Sequence, residues 1–118
     1  MKAEVPMCAR VRMKPGSHLA MLKWAQHINS HRAEACQTLV AEGVAIESVF
    51  LESTPDADFL IYYMRATSRE LARNVVRDST ADIDAYHQAF KQQTWAEVSS
   101  LELLVDLQPG ASDASQPG

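Results

Sequence analysis

Hydrophobic residues recur along this chain with two different spacings. Residues 44–66, VAIESVFLESTPDADFLIYYMRA, contain two runs rich in β-branched and aromatic residues around a short Pro/Asp turn, a pattern typical of a β-hairpin. Apolar and polar residues alternate over residues 5–14 and again over residues 98–107, and each of these runs predicts one further strand. The chain therefore has four predicted strands, of which the middle two form the hairpin.

The segment before the hairpin has the spacing of a helix. Apolar residues three and four positions apart run from Ser17, a residue suited to an N-cap, to Gly43, which suits a left-handed C-cap. Helix propensity is low at Asn29 and Ser30, so we expect this helix of about 25 residues to bend there.

A second helical region follows the hairpin. It begins with a capping box at residues 67–70 (TSRE), is interrupted at residues 78–80 (DST), and ends near Gln93. The resulting order is strand-helix-strand-strand-helix-strand, the split βαβ arrangement of ferredoxin-like domains. The sequence therefore predicts one α+β domain over residues 1–107, with a four-stranded antiparallel sheet and helices on one face. Residues 108–118 are rich in Gly, Ser, Pro and Asp and are predicted to be a disordered tail.

The predicted strands are apolar on both faces, which has a consequence for assembly. Helices cover only one face of a ferredoxin-like sheet, so the other face of a monomer should be polar. Here one face of the third strand carries Phe59, Ile61 and Tyr63, and the other carries Leu60, Tyr62 and Met64. A second copy of the same sheet, related by a two-fold axis, would cover the exposed apolar face. We therefore expect a homodimer formed through the sheets.

Composition and charge narrow the class of protein. Of 118 residues, 47% are hydrophobic and 22% are charged, with a net charge of -4, and the basic row of Arg10, Arg12 and Lys14 is too small for a nucleic-acid binder. The sequence shows neither a signal peptide nor an apolar run that could span a membrane. With only Cys8 and Cys36, a disulfide framework is not expected, and the sequence predicts a cytoplasmic protein.

The strongest candidate for chemistry is a helix face that carries Asp84, His87 and Lys91. These residues are three and four positions apart, so the Asp84 carboxylate could orient the His87 imidazole. His87 would then act as a general base in a pocket between the helices and the sheet. The alternative is a structural histidine with a satisfied hydrogen bond in the core, which is the more common situation for buried polar groups.

The strands supply a second set of polar residues, Arg10, Arg12, Glu47 and Glu102. In the usual strand order the first strand lies between the third and fourth, which predicts that Arg10 or Arg12 is a neighbour of Glu102. If the dimer covers this face, the charges must pair, because an isolated buried charge is costly. Arg12 and Glu47 are therefore candidates for an anion-binding pocket, or for a structural ion-pair network that sets the dimer register.

Aromatic residues form a third set. Trp24 and Tyr86, on facing helices, could line an apolar pocket with Tyr63 or Tyr62 from the sheet, and such a pocket would accept a small apolar or aromatic ligand. The alternative is that these aromatics simply fill the core.

A metal or cofactor has weaker support. His27, His31 and Glu34 share a helix face, but a solvated face is the simpler interpretation, since no Cys-x-x-Cys or His-Glu-x-x-His motif accompanies them. Haem would need a proximal ligand, for which only His87 or His31 qualifies. The sequence predicts no metal site and no cofactor.

Several stretches together resemble the dimeric α/β-barrel superfamily, whose members pack two ferredoxin-like sheets face to face. They are RVRMKPG (10–16), AEGVAIESVFLE (41–52) after Trp24, FLIYYMRA (59–66) and DSTADIDAYHQAF (78–90). Within the superfamily the chain is similar to a family of small bacterial proteins of unknown function. The resemblance covers everything except the tail.

Two functions are compatible with the resemblance, because superfamily relatives include oxygenases, isomerases and stress-responsive proteins without a shared catalytic motif. The first is a small-molecule-binding or stress-associated homodimer with no chemistry of its own. The second is a cofactor-independent monooxygenase or isomerase acting on a small aromatic or polyketide-like substrate, with His87 as base and Asp84 as its orienter. Fold alone does not decide between them.

Overall fold

The computed structural model describes residues 4–109, apart from the side chains at positions 69, 72, 73, 76 and 77. Most of the predicted tail, residues 110–118, lies outside the described residues. The elements follow one another as β1 Val5–Met13, α1 His18–Ser30, α2 Arg32–Glu42, β2 Val44–Ser53, β3 Asp58–Ala66, α3 Arg69–Asp78, α4 Asp82–Thr94 and β4 Trp95–Ser100.

The four strands form one antiparallel sheet in the order β2-β3-β1-β4. This order places the first strand between the third and the fourth, as in a ferredoxin-like domain. The α+β fold class predicted from the sequence is confirmed. No helix within the described part of the chain is long and apolar enough to cross a membrane.

The long helix predicted before the hairpin is two helices. α1 ends and α2 begins around His31, whose backbone (φ −120°, ψ 40°) leaves the helical region, one residue beyond the expected bend. α2 ends at Gly43 with φ +74°, a left-handed conformation that strongly favours glycine. A Cβ at this position would also lie 3.0 Å from a methyl group of Leu71, so Gly43 allows α2 to turn directly into β2.

The last strand differs from its prediction at both ends, because β4 covers Trp95–Ser100 and not residues 98–107. Pairing with β1 ends where the Leu101 N–H donates to the carbonyl oxygen of Cys8 at 2.9 Å. Two positions away from Cys8 along β1, Pro6 has no N–H with which to continue the ladder. Residues 101–107, which we call the C-terminal segment, therefore leave the sheet and form no strand.

The core lies between the helices and one face of the sheet, which we call the helix face. Val11 and Met13 from β1 and Leu60 and Tyr62 from β3 pack there against Met21, Trp24 and Phe90 of the helices. These strand residues alternate with outward-pointing neighbours, as the pleat of a strand requires. The helices pack on this face because their apolar stripes need the same burial.

The opposite face of the sheet, the open face, carries no helix. Phe50 of β2 keeps 61% of its surface exposed there. Phe59 is buried there, and guanidinium groups lie over its ring, with Arg10 3.6 Å and Arg12 5.5 Å from the ring centroid. Leucine and valine side chains of the C-terminal segment are also exposed.

Candidate functional site

A hydrogen bond between two helices defines the centre of the site. The indole N–H of Trp24 in α1 donates to Nδ1 of His87 in α4 at 3.0 Å, and the two rings lie 5.6 Å apart at 26°. An indole nitrogen is only ever a donor, so Nδ1 is the unprotonated nitrogen and Nε2 carries the hydrogen. His87 is thus held in one tautomer by Trp24.

The surroundings of His87 keep it neutral. Burial, with the nearby positive charge of Lys91 as a smaller cause, lowers the pKa of His87 to about 3. Both causes disfavour the imidazolium form. At neutral pH the ring is therefore a hydrogen-bond donor through Nε2, with its lone pair already occupied.

Aromatic rings surround this pair. Trp24 stacks on Phe90 with centroids 4.6 Å apart and planes at 7°, and lies 6.3 Å from Tyr62. Tyr62 in turn meets Trp95 edge to face at 5.3 Å and 68°. We call Trp24, Tyr62, His87, Phe90 and Trp95 the aromatic cluster.

Two polar atoms of the aromatic cluster are buried without a hydrogen-bond partner, the hydroxyl of Tyr62 and the indole N–H of Trp95. The Trp95 indole lies close enough to the Tyr62 hydroxyl to oppose the rise in the pKa of Tyr62. The two groups do not, however, meet the geometry of a hydrogen bond. Burial raises the pKa of Tyr62, and the negative charge of Glu47 adds to that rise. Unpaired buried polar atoms are rare and costly, so these two groups distinguish the aromatic cluster from an ordinary core.

Four charged residues border the same region, and we call Glu42, Glu47, Asp84 and Lys91 the charged cluster. Burial raises the pKa of Glu47, with the charge of Asp84 adding to the rise and Lys91 opposing it. Glu47 is nevertheless exposed to solvent on the edge strand β2. Burial lowers the pKa of Lys91, and the negative charges of Glu47, Glu42 and Asp84 oppose that shift.

Glu42 is the buried carboxyl of the charged cluster. It sits at the end of α2 with 9% of its surface exposed. Burial, then the charges of Asp84 and Glu47, raise its pKa to about 7. The positive charge of Lys91 and the nearby Thr38 hydroxyl act in the opposite direction.

The structure brings only some of the predicted site residues together. Trp24 contacts His87 directly, but among the described residues no hydrogen bond joins Asp84 to His87; Asp84 belongs to the charged cluster instead. Tyr86 lies beside the aromatic cluster and stacks on His27 with centroids 3.8 Å apart. Position 87 on α4 faces the sheet, while position 84, one turn earlier, faces α2.

Two predicted pocket residues lie on the other face of the sheet. Tyr63 points to the open face, where Arg65 lies 5.8 Å from its ring, and the pocket position expected for it belongs to Tyr62. Arg12 is likewise on the open face, over Phe59, whereas Glu47 is on the helix face. Successive strand residues alternate between faces, so Arg12 and Glu47 cannot share a pocket within one protomer.

The ion pair that β1 forms is not the one expected with Glu102. Arg10 pairs with Glu52 of β2 at 2.9 Å, and no ion pair among the described residues joins Glu102 to Arg10 or Arg12. Glu102 lies beyond the end of β4, where the C-terminal segment has left the sheet.

The rings of His27 and His31, at the end of α1, stack on each other. The two imidazoles lie 4.1 Å apart, and Nδ1 of His31 meets the carbonyl oxygen of His27 at 2.8 Å. No group of three or more His, Cys, Asp or Glu within residues 4–109 could hold a metal ion.

A surface groove of about 300 Å³ opens between α2, α3 and the start of α4. Among the described side chains, Glu34 and Asp84 supply its charge and Thr38 and Ser79 supply hydroxyl groups. The groove meets the charged cluster at Asp84. A second, polar concavity of about 250 Å³ lies at the other end of the sheet, beside the His18–Asp58 ion pair.

Sequence reasoning did not single out Glu42 and did not use the pairing of Tyr62 with Trp95. Glu42 carried a weak signal, since a glutamate just before a C-cap glycine is an ordinary surface residue in most helices. Trp95 could not be placed because the prediction began the last strand three residues too late. The choice of Tyr62 over Tyr63 depends on register, which a strand apolar on both faces does not fix.

Comparison with known proteins places the chain in a family. The model of the Family of unknown function (DUF6176) matches residues 5–111, so the chain belongs to that family. No curated protein sequence matches it. The membership predicted from the sequence, in a family of unknown function, is confirmed.

Solved structures share the fold at low sequence identity. PA3566 from Pseudomonas aeruginosa aligns with a TM-score of 0.56 and 10% identity over 89% of this chain and 98% of its own. A provisionally named antibiotic biosynthesis monooxygenase from Nitrosomonas europaea gives 0.56 and 13% over 86% and 88%. Rv0793 from Mycobacterium tuberculosis gives 0.52 and 17% over 90% and 100%. At these identities the likeness establishes the fold alone.

Proposed function

We propose that this protein is a homodimer that binds a small molecule with a planar or aromatic body between its helices and the helix face of its sheet. The observation that carries the proposal is the unpartnered, buried hydroxyl of Tyr62. A buried hydroxyl without a partner costs about 1–3 kcal/mol of stability. Proteins tolerate such a cost at binding sites, because the bound ligand supplies the missing hydrogen bond.

The chemistry of the aromatic cluster indicates what the ligand offers. Trp95 supplies an N–H that lacks a partner, and His87 supplies an Nε2–H because Trp24 occupies its other nitrogen. Both are donors, and Tyr62 can donate or accept. A ligand with a carbonyl or phenol oxygen on a flat ring complements them, since the rings of Trp24, Tyr62 and Trp95 provide apolar contact.

The geometry favours binding over catalysis by His87. A general base needs a free lone pair and a pKa near the working pH, whereas Nδ1 of His87 already accepts from Trp24 and the pKa of the ring lies near 3. The monooxygenase or isomerase alternative therefore has no observation in its favour at this residue.

Homodimer formation through the open face rests on what that face exposes. Phe50 and the leucines and valines of the C-terminal segment present apolar surface to solvent in a single protomer. Arg65 binds the carboxylate of Asp106 and so holds the C-terminal segment close to the sheet. Exposed apolar side chains of this kind mark a protein interface, and a second copy of the chain is the partner we propose. The two unpaired thiols, Cys8 and Cys36, favour a reducing compartment such as the cytoplasm.

Binding of acetophenone, a flat ring with one carbonyl oxygen, tests the site. Trp24 and Trp95 are the only two tryptophans of the chain and both belong to the aromatic cluster, so their fluorescence reports occupancy. We expect saturable quenching in the wild type and at least fivefold weaker binding in Tyr62→Phe. Tyr63→Phe makes the same chemical change on the open face and should bind like the wild type. No saturable quenching at millimolar acetophenone, or equal effects of the two substitutions, would reject the proposal.

A further inference from the structure

The C-terminal segment is exposed to solvent along its whole length. All seven of its residues are exposed, and five of them are leucine or valine. Leu104 keeps 83% of its surface exposed and Leu107 keeps 79%. The apolar and acidic residues largely alternate, as in a strand, but the segment has left the sheet. It therefore has the side chains of a strand and no strand beside it.

Two contacts hold the C-terminal segment against its own sheet and leave its middle uncovered. At one end, the Leu101 N–H donates to the carbonyl oxygen of Cys8 at 2.9 Å. Near the other end, the carboxylate of Asp106 binds Arg65. Leu104 lies between these two contacts and is the most exposed residue of the segment. Since the segment is already held near both ends, its own sheet does not supply the missing cover.

The edge strand β2 has a matching deficiency. It pairs with β3 on one side and with no strand of the described chain on the other. Three of its large apolar residues are exposed, Ile46, Phe50 and Leu51. Phe50 and Leu51 are consecutive, so they lie on opposite faces of the sheet. A neighbouring strand would cover both residues, whereas a second layer on one face would cover only one of them.

The backbone groups of both elements also lack partners. Among the described residues, the Leu101 N–H is the only backbone group of the C-terminal segment that bonds to the backbone elsewhere. Along the outer edge of β2, alternate N–H and C=O groups point away from the sheet. Such an edge is a template for pairing with a further strand. Pairing the segment with this edge would satisfy the backbone groups of both.

The β2 strand that pairs with the segment belongs to a second copy of the chain. Within one protomer, the segment is fixed to Cys8 of β1 and Arg65 of β3. The outer edge of β2 faces away from both of those strands, so a segment fixed there does not lie along it. In a two-fold dimer each copy donates one segment and receives one, and the exchange closes after two copies.

The dimensions suit such a dimer. Seven extended residues span about 23 Å, and the ten residues of β2 span about 33 Å, so the segment fits along the strand. Its five apolar residues and the three of β2 are all at least 46% exposed. Covering roughly 100 Å² at each of them in both protomers would bury on the order of 1,600 Å², the area of a standard protein interface.

We propose that the C-terminal segment of each protomer adds as a fifth strand to the free edge of β2 in the partner, with Leu104 packed on the partner's Phe50. The proposal rests on the homodimer proposed above and adds the element and the edge that form it. Leu104 and Phe50 are paired because each is the most exposed apolar residue of its element.

Cysteine cross-linking tests the contact directly. A chain with Phe50→Cys and Leu104→Cys, in which Cys8→Ser and Cys36→Ser remove the native thiols, is treated with a short bismaleimide. We expect most of the protein to run as a covalent dimer on a denaturing gel. Each single-cysteine chain should stay monomeric. So should a chain that joins Phe50→Cys to Leu19→Cys, since Leu19 is a similarly exposed leucine on α1.

A charge in the segment tests its contribution to the dimer. Leu104→Glu should weaken dimerisation roughly tenfold or more, as measured by sedimentation velocity, because it places a charge in an apolar contact. Leu19→Glu is the matched control and should dimerise like the wild type. Hydrogen exchange followed by mass spectrometry should show amides 102–107 protected in the wild-type dimer and exposed in Leu104→Glu, as a strand ladder requires.

The outcomes separate this proposal from the homodimer on which it rests. A cross-link within one chain, an uncross-linked double-cysteine dimer or a Leu104→Glu variant that dimerises normally would overturn the exchange and leave the homodimer in place. Unprotected amides 102–107 in the wild-type dimer would overturn the fifth strand. If the wild type is a monomer at micromolar concentration, the homodimer fails and the exchange fails with it.

Discussion

The two faces of one sheet differ in how completely their side chains are satisfied. On the helix face, Tyr62 is buried among aromatic rings and its hydroxyl has no partner. On the open face, the next residue, Tyr63, lies beside Arg65 and Arg10 binds Glu52. The face that is closed by the fold keeps unpaired polar atoms, while the exposed face carries the ion pairs Arg10–Glu52 and Arg65–Asp106. We infer that the helix face is adapted to a ligand and the open face to a partner.

The largest effect should come from removing the centre of the helix face. Trp24 packs on Phe90 and donates to His87, so Trp24→Ala should lower the free energy of unfolding by about 3–5 kcal/mol. Urea denaturation followed by circular dichroism measures the loss, which should not depend on protein concentration. A loss under 1 kcal/mol would show that Trp24 is not part of a packed core.

Phe50→Glu tests the open face, where 61% of Phe50 is exposed. A charge placed there should weaken self-association by about 2–4 kcal/mol, because a buried unpaired charge is costly in an interface. Sedimentation velocity should show a dimer in the wild type and a folded monomer in the variant. Leu22→Glu, at an exposed leucine on α1, is the control and should remain dimeric. A wild-type monomer at micromolar concentration would contradict the proposed interface.

Glu42 makes the free energy of unfolding depend on pH. Its pKa is about 7 in the folded protein against an ordinary value of 4.5, so folding favours its protonated form. That contribution is complete below pH 4.5 and is lost as the pH rises through 7. Glu42→Gln should remove this loss, which we expect to be about 1–2 kcal/mol after solvent screening.

Unfolding midpoints in urea between pH 4.5 and 8 provide the measurement for Glu42. His87 acts in the opposite direction, because its pKa of about 3 lies below the ordinary 6.5; its contribution is present above pH 6.5 and is lost as the pH falls. Glu34→Gln, at an exposed position of the same helix, should leave the profile unchanged. A Glu42→Gln profile that matches the wild type would contradict the burial of this carboxyl.

The sequence was sufficient for the fold and insufficient for the site. Element order and hydrophobic spacing depend on local sequence, and they placed the hairpin and the helix break near His31. The site depends on which of two adjacent apolar residues faces the helices, and strands apolar on both faces leave that choice to tertiary pairing. The interaction of Glu42 with Glu47 and Asp84 likewise joins residues from three elements, whose approach no local pattern encodes.

The most direct test of the two faces is to remove one tyrosine hydroxyl from each and to measure the change in the free energy of unfolding. This is also the smallest effect we expect. If the Tyr62 hydroxyl is buried without a partner, Tyr62→Phe should raise the free energy of unfolding of the ligand-free protein by about 1 kcal/mol. Tyr63→Phe should leave it unchanged or lower it slightly, because that hydroxyl interacts with Arg65. Paired urea denaturation at pH 7 measures both. A loss of stability in Tyr62→Phe would mean that the hydroxyl has a structural partner, and would contradict the ligand site.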